Sequence, residues 1–160
     1  MKSDQDQTLR EQLLRAMRGD EAHIEFESVM KGFPFELAGV KPNGVPHSAW
    51  QLLEHLRIAQ HDILEFSRNP AHKSPKWPEG YWPEASAPRD KHAWEASAAA
   101  FIDSAKELAK LVDDHSLDLF AQIEGGDGQT LLREALVITA HNSYHIGQLE
   151  FLKKMLLAKG

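Results

Sequence analysis

HSAWQLLEHLRIAQHDILEF, residues 47–66, decides the fold class. Its apolar residues Trp50, Leu52, Leu53, Leu56, Ala59, Ile63, Leu64 and Phe66 recur at steps of three and four. That spacing lines one side of an α-helix and does not alternate as a strand would. Ser48 is a natural N-cap, and Asn69 followed by Pro70 closes the segment. The sequence predicts a long amphipathic helix between these signals.

The same periodicity holds outward in both directions. Upstream, Leu9 to Met17 places Leu13, Leu14 and Met17 on one face, and Gly19 followed by Asp20 reads as a stop and a new N-cap. Ala22 to Met30 presents Ile24, Phe26, Val29 and Met30; two helices and one bent helix both fit. Downstream, a helix from about Asp90 to Leu111 carries the stripe Trp94, Ala98, Phe101, Ile102, Ala105 and Leu108. A last helix from about Gln129 to Leu157 turns Leu132, Ala135, Leu136, Ile138, Leu149, Leu152 and Leu156 inward. Four principal amphipathic segments predict an all-α four-helix bundle, with residues 1–160 as a single domain.

The joints are polar or rich in Pro and Gly. GFPFELAGVKPNGVP, residues 32–46, holds three of each and reads as connecting chain despite its Phe and Leu. VDDHSLDLFAQIEGGDG, residues 112–128, is another connection. Residues 70–89 contain five prolines and the cluster Trp77, Tyr81 and Trp82, which fits no helix or strand pattern. So long a loop suits a lid over a binding site, or a cover whose aromatics pack down on the bundle; both readings stand.

Composition narrows the function. The 160 residues are 42% hydrophobic and 26% charged, with a formal charge of -6. No stretch is long and apolar enough to span a bilayer, and MKSDQDQTLREQ has no signal-peptide core, so the expected compartment is the cytosol. The acidic balance argues against a nucleic-acid or anionic-membrane binder. With no cysteine, a disulfide framework, a thiolate zinc site, an iron–sulfur cluster and a cysteine nucleophile are all excluded. Any metal must be held by His, Asp or Glu, and the nine histidines are the composition's one oddity.

On the last helix, HNSYH sets His141 and His145 four residues apart, one turn apart on one face, where one ion reaches both. The pair interrupts the apolar stripe between Ile138 and Leu149, so it faces the interior. Asn142 stands where a zinc protease of the His-Glu-x-x-His type would carry its glutamate, which argues against that reading. A third ligand must come from another helix. His55 is the best placed, on the stripe Leu52, His55, Ala59, where without the pair on the last helix it would read as a core histidine bonded to a backbone carbonyl or a carboxylate; three imidazoles leave positions open, the pattern of catalytic metal. His61 points about 120° from His55 and suits solvent. His47 falls just before the cap, His72, His92 and His115 belong to loops or their edges, and His23 is the reserve ligand. Glu54 and Asp62 neighbour the site helix; each is a candidate to orient an imidazole or accept a proton, set against a solvated position.

Together these motifs resemble the DinB-like superfamily of small four-helix-bundle metalloproteins. The resemblance covers nearly the whole chain. It rests on Ser48, Trp50, Leu53 and His55 in one run, and on His141, His145, Gly147, Gln148 and Leu149 in the other. It implies an up-down-down-up bundle, a homodimer, and one divalent ion, zinc or nickel, held by His55, His141 and His145. Family members with assigned activities include transferases and isomerases that use a low-molecular-weight thiol such as bacillithiol, mycothiol or glutathione.

Three functions follow as expectations. The first is an enzyme delivering a thiolate to a small electrophile, with Trp77, Tyr81 and Trp82 as the substrate lid; the ion would activate a nucleophile that this cysteine-free chain lacks. The second is a metal-dependent hydrolase with Glu54 or Asp62 as base. The third is a non-enzymatic metal-binding and dimerisation module, whose ion would be coordinatively closed and whose removal would unfold it.

Overall fold

The computed structural model describes residues 2–19 and 21–158 and is all-helical, with no strand among the described residues. Five α-helices follow in order: α1 (Lys2–Arg18), α2 (Phe26–Met30), α3 (Ala49–Arg68), α4 (Lys91–Asp113) and α5 (Leu131–Leu157). Four are long and α2 is a single short turn.

Each long helix after α1 starts at a side-chain cap. Ser48 and Gln51 form a reciprocal capping box at α3, with each side chain bonded to the other's backbone N–H. Asp90 accepts the Ala93 N–H at 2.7 Å to open α4, and Thr130 accepts that of Arg133 to open α5. α1 begins well before Leu9, where the apolar pattern starts. Its polar first turns are helical because of one-turn pairs, Asp6 with Arg10 and Gln7 with Glu11. Gly19 ends it at φ +81°, a left-handed angle that glycine takes at little cost. Asp20, the expected cap of the next helix, lies outside the described residues.

Two sequence readings need correction. Helix is absent from Ala22 to Glu25; α2 starts only at Phe26, and Ile24 is 37% exposed rather than on a buried face. The Gly19 carbonyl accepts the His23 N–H, and the Ile24 carbonyl bonds the His23 ring, so this stretch is spent in a turn. On α5, Leu136 is 53% exposed. It lies about 100° round the helix from the fully buried Ala135, and that step carries it out of the core.

Around α3 the bundle closes: α3 packs on α4 and α5, and α1 also packs on α4 and α5. The core falls into two apolar clusters. One joins Leu52, Leu53 and Leu56 to Trp94, Phe101, Ile146, Leu149 and Leu152, and draws in Phe33 and Ala38 from the connecting chain. The other joins Leu13, Leu64, Leu108, Val112, Leu119, Ala135 and Ile138. On α5 the boundary between them falls between Ile138 and Ile146, where the chain reads HNSYH. Arg10, 2% exposed, locks the far end by donating to the carbonyls of Val112, Asp114 and Leu117. No described helix is long and apolar enough to cross a membrane.

Candidate metal centre

At the boundary layer, α3 and α5 bring His55, His141 and His145 together. His55 Nε2 lies 2.9 Å from His141 Nε2 and 3.1 Å from His145 Nε2. The opposite nitrogens explain why. His55 Nδ1–H donates to the Tyr81 carbonyl at 2.9 Å, His145 Nδ1–H to Gln148 Oε1 at 2.7 Å, and His141 Nδ1–H to Asn142 Oδ1 at 3.3 Å. A neutral imidazole has one N–H. With all three protons engaged at Nδ1, three Nε2 lone pairs converge with no proton to share.

Such a cluster repels itself unless a cation sits among the nitrogens. Imidazole nitrogens ligating one ion at about 2.0–2.1 Å stand roughly 2.8 to 3.4 Å apart, from right-angled to tetrahedral arrangements, and the separations of 2.9 and 3.1 Å fall within that range. The donor set therefore fits one divalent ion, and each ligand already has the outer hydrogen bond that fixes its tautomer. Burial pushes His55 down to about 4, against the pull of the Tyr81 carbonyl. It does the same to His145, also to about 4, helped by His141, and it lowers His141. All three are neutral near pH 7, the form that ligates. No carboxylate or fourth histidine joins the group among the described residues.

The Pro-rich link from α3 to α4 supplies part of the site. Trp82 stacks on His55 at 3.9 Å with the rings 3° from parallel, and on His47 at 4.0 Å and 16°. Tyr81 uses both ends: its carbonyl orients His55, and its hydroxyl donates to Asp62 Oδ2 at 2.6 Å. Burial and the Asp62 carboxylate push that hydroxyl up to about 12, so it stays a donor. Asp62, 8% exposed, bonds His72 Nε2 through its other oxygen at 2.8 Å. Trp77 is 69% exposed and tilts against the Tyr81 ring. A cavity of about 400 Å³ opens beside the cluster, walled by His55, His141, Asp62, Trp77, Tyr81 and Arg133 among others.

The structure thus gathers the three expected ligands and sets Tyr81 and Trp82 against them, with Trp77 at the rim. Asp62 is buried and doubly bonded, not solvated. Glu54 is not brought to the histidines. One residue before His55, it turns away from the histidines: Arg57, three residues on along α3, grips it with two N–H groups at 2.7 and 2.8 Å, and the Ser97 hydroxyl of α4 donates to it. Burial opposes its charge, but these donors outweigh it and hold the carboxyl below its usual range. His61 is exposed, as expected. The reserve ligand His23 lies elsewhere, against Ser143. His72 is drawn in by Asp62 rather than left at the surface.

The sequence reading missed His47, Gln148, Asn142 and the Asp62–His72 pair as parts of the site. Gln148 carried a signal, standing one turn after His145 on the same face. The stacking of His47 on Trp82 carried none.

The model of the DinB superfamily matches residues 11–149, a span that holds all three histidines and the aromatic link. The chain belongs to the DinB superfamily. No curated protein and no solved structure matches it. Within this DinB superfamily chain, the two motifs read from sequence are the two helices that meet at the histidine layer.

Proposed function

We propose that this single-domain protein is a metal-dependent enzyme that joins a low-molecular-weight thiol to a small electrophile. In this reading His55, His141 and His145 hold one zinc or nickel ion. The observation that carries it is the convergence of three deprotonated Nε2 atoms beside a 400 Å³ cavity that His55 and His141 help to wall. A divalent ion there would supply Lewis acidity, lowering the pKa of a bound thiol or water so that its anion is available at neutral pH.

The chain's own groups prepare the cavity. Trp82 covers one face of His55 and keeps water from it, while Tyr81 and Asp62 pin the link that carries Trp82. Trp77 and the Tyr81 ring give the electrophile an apolar wall, while Arg133 at the edge is paired with Glu134 at 2.6 Å. The absence of a fourth ligand in the described cluster favours an open site over a purely structural one. Metal-dependent hydrolysis is the second reading, favoured by Asp62, a carboxylate lining the same cavity.

We read the bundle as up-down-down-up. Its support is the register of pairs: Glu54–Ser97 and Arg68–Glu107 advance together along α3 and α4, whereas His55–His145 and Gln60–Asn142 run in opposite senses along α3 and α5. We also read the protein as a cytoplasmic homodimer that binds neither membrane nor nucleic acid. An exposed stripe on α5 supports the dimer: Val137, Tyr144 and Phe151, 38%, 64% and 66% exposed, alternate with exposed Ala140 and Gly147. Small residues between large ones at heptad spacing let a second copy of the helix approach closely.

The test is elemental analysis of tag-free protein and its His55→Ala variant, followed by turnover of an aryl halide with bacillithiol, mycothiol and glutathione. About one equivalent of metal, lost with His55 along with turnover, is the expected result. Metal-loaded protein no faster than the variant with every thiol would overturn the transferase reading.

A further inference from the structure

A larger cavity, about 560 Å³, opens between α1, α4 and α5. It is separate from the histidine-lined one. Gln60, which lines it, lies five residues after His55 and so about 140° round α3, on the other side of the helix. The volume is in the range of small-molecule pockets. Leu14, Phe101, Ile102, Ile138 and Ile146 make its wall largely apolar.

Gln60 is the polar feature that stands out. It is 1% exposed, its Oε1 accepts from Asn142 Nδ2 at 2.8 Å, and its Nε2 is buried with no partner. A buried amide donor without an acceptor is rare and costly. The lining carries both signs equally, Arg18, Lys106 and Lys110 against Glu25, Glu27 and Asp113, so it selects neither cation nor anion.

We propose that this cavity is a second small-molecule site, taking a neutral and mainly apolar ligand with one hydrogen-bond acceptor that the Gln60 amide engages. An aryl or alkyl ketone, ester or amide has that chemistry. The site also touches the first one indirectly. Asn142, which donates to Gln60, accepts from the His141 Nδ1–H, so a ligand that holds Gln60 steadies an outer partner of the histidine cluster.

The test uses prodan, a neutral aryl ketone whose emission shifts to the blue in apolar surroundings, titrated into the tag-free full-length chain. About one saturable equivalent is expected in both wild type and His55→Ala. Ala105→Phe, which fills the cavity, is expected to bind at least about tenfold more weakly, with helicity and metal uptake retained. Gln60→Leu keeps the bulk but removes the donor, and about tenfold weaker binding is expected there too. If Ala105→Phe fails to fold, Gln60→Leu and Ala109→Leu carry the test. No saturable binding to wild type overturns the proposal. So does binding lost in His55→Ala but kept in the cavity variants, which would put the probe beside the histidines.

Discussion

Gln148→Ala probes the step from hydrogen bonding to metal affinity. Gln148 Oε1 is the partner of His145 Nδ1–H, at 2.7 Å. Without it the ring loses the bond that keeps its proton on Nδ1, and the tautomer with the proton on Nε2 blocks the ligating nitrogen. Loss of such an outer partner lowers metal affinity about 10- to 100-fold, or about 1.4 to 2.7 kcal/mol. The fold should hardly notice. One neutral hydrogen bond contributes about 1 kcal/mol, and alanine suits a helix better than glutamine. The assay is competition for zinc against a chromogenic chelator near neutral pH, with thermal melting as the control. Gln148→Glu restores an acceptor and is expected to recover most of the affinity. An affinity in Gln148→Ala within twofold of wild type, or an equal loss in Gln148→Glu, would refute the reasoning.

Three further outcomes are expected. His145→Ala should abolish stoichiometric metal uptake while His61→Ala, at an exposed position, leaves it intact; elemental analysis separates them. Metal-free protein should lose stability on acidification. His55 and His145 have folded values near 4 against an ordinary 6.5, so the unfolded chain binds more protons between those limits. Stability is full above about pH 6.5 and falls toward pH 4, so urea midpoints that stay flat across the window would sink the claim. Arg10→Ala takes a buried guanidinium from three backbone carbonyls and from the partly exposed Asp6, and about 3 kcal/mol of destabilisation is expected from the carbonyls left without a donor. Lysine should not rescue it, because the contacts need a planar fork; a loss under about 1 kcal/mol would show that water replaces those bonds.

Much of this was legible along the chain because its causes are local. The Ser48 cap, the apolar spacing of α3 and the one-turn pairing of His141 with His145 all act within one helical turn. His55 was found because the pair on α5 needs a third ligand from another helix and His55 stands on the apolar stripe of α3. What failed depended on tertiary partners. α5 is apolar on more than one side, so spacing could not say whether Ala135 or Leu136 faces in. Asp62 looked like a surface carboxylate until the link returned His72 and Tyr81 to it. Glu54 looked near the site in sequence, yet one residue of helix is a 100° turn that handed it to Arg57 and Ser97.

The histidine layer also bears on how this chain stays folded. His55 is 86 residues from His141 and 90 from His145. An ion shared among them would be a cross-link between distant parts of a chain that has no cysteine to make one. Because the site exists only in the folded chain, the ion stabilises the fold by its binding free energy, about 2.7 kcal/mol at a free concentration one hundred times its dissociation constant, a sizeable share of the stability of a domain this size. Unlike a disulfide, this staple opens to acid or a chelator, so metal supply would set the lifetime of the protein as well as its chemistry.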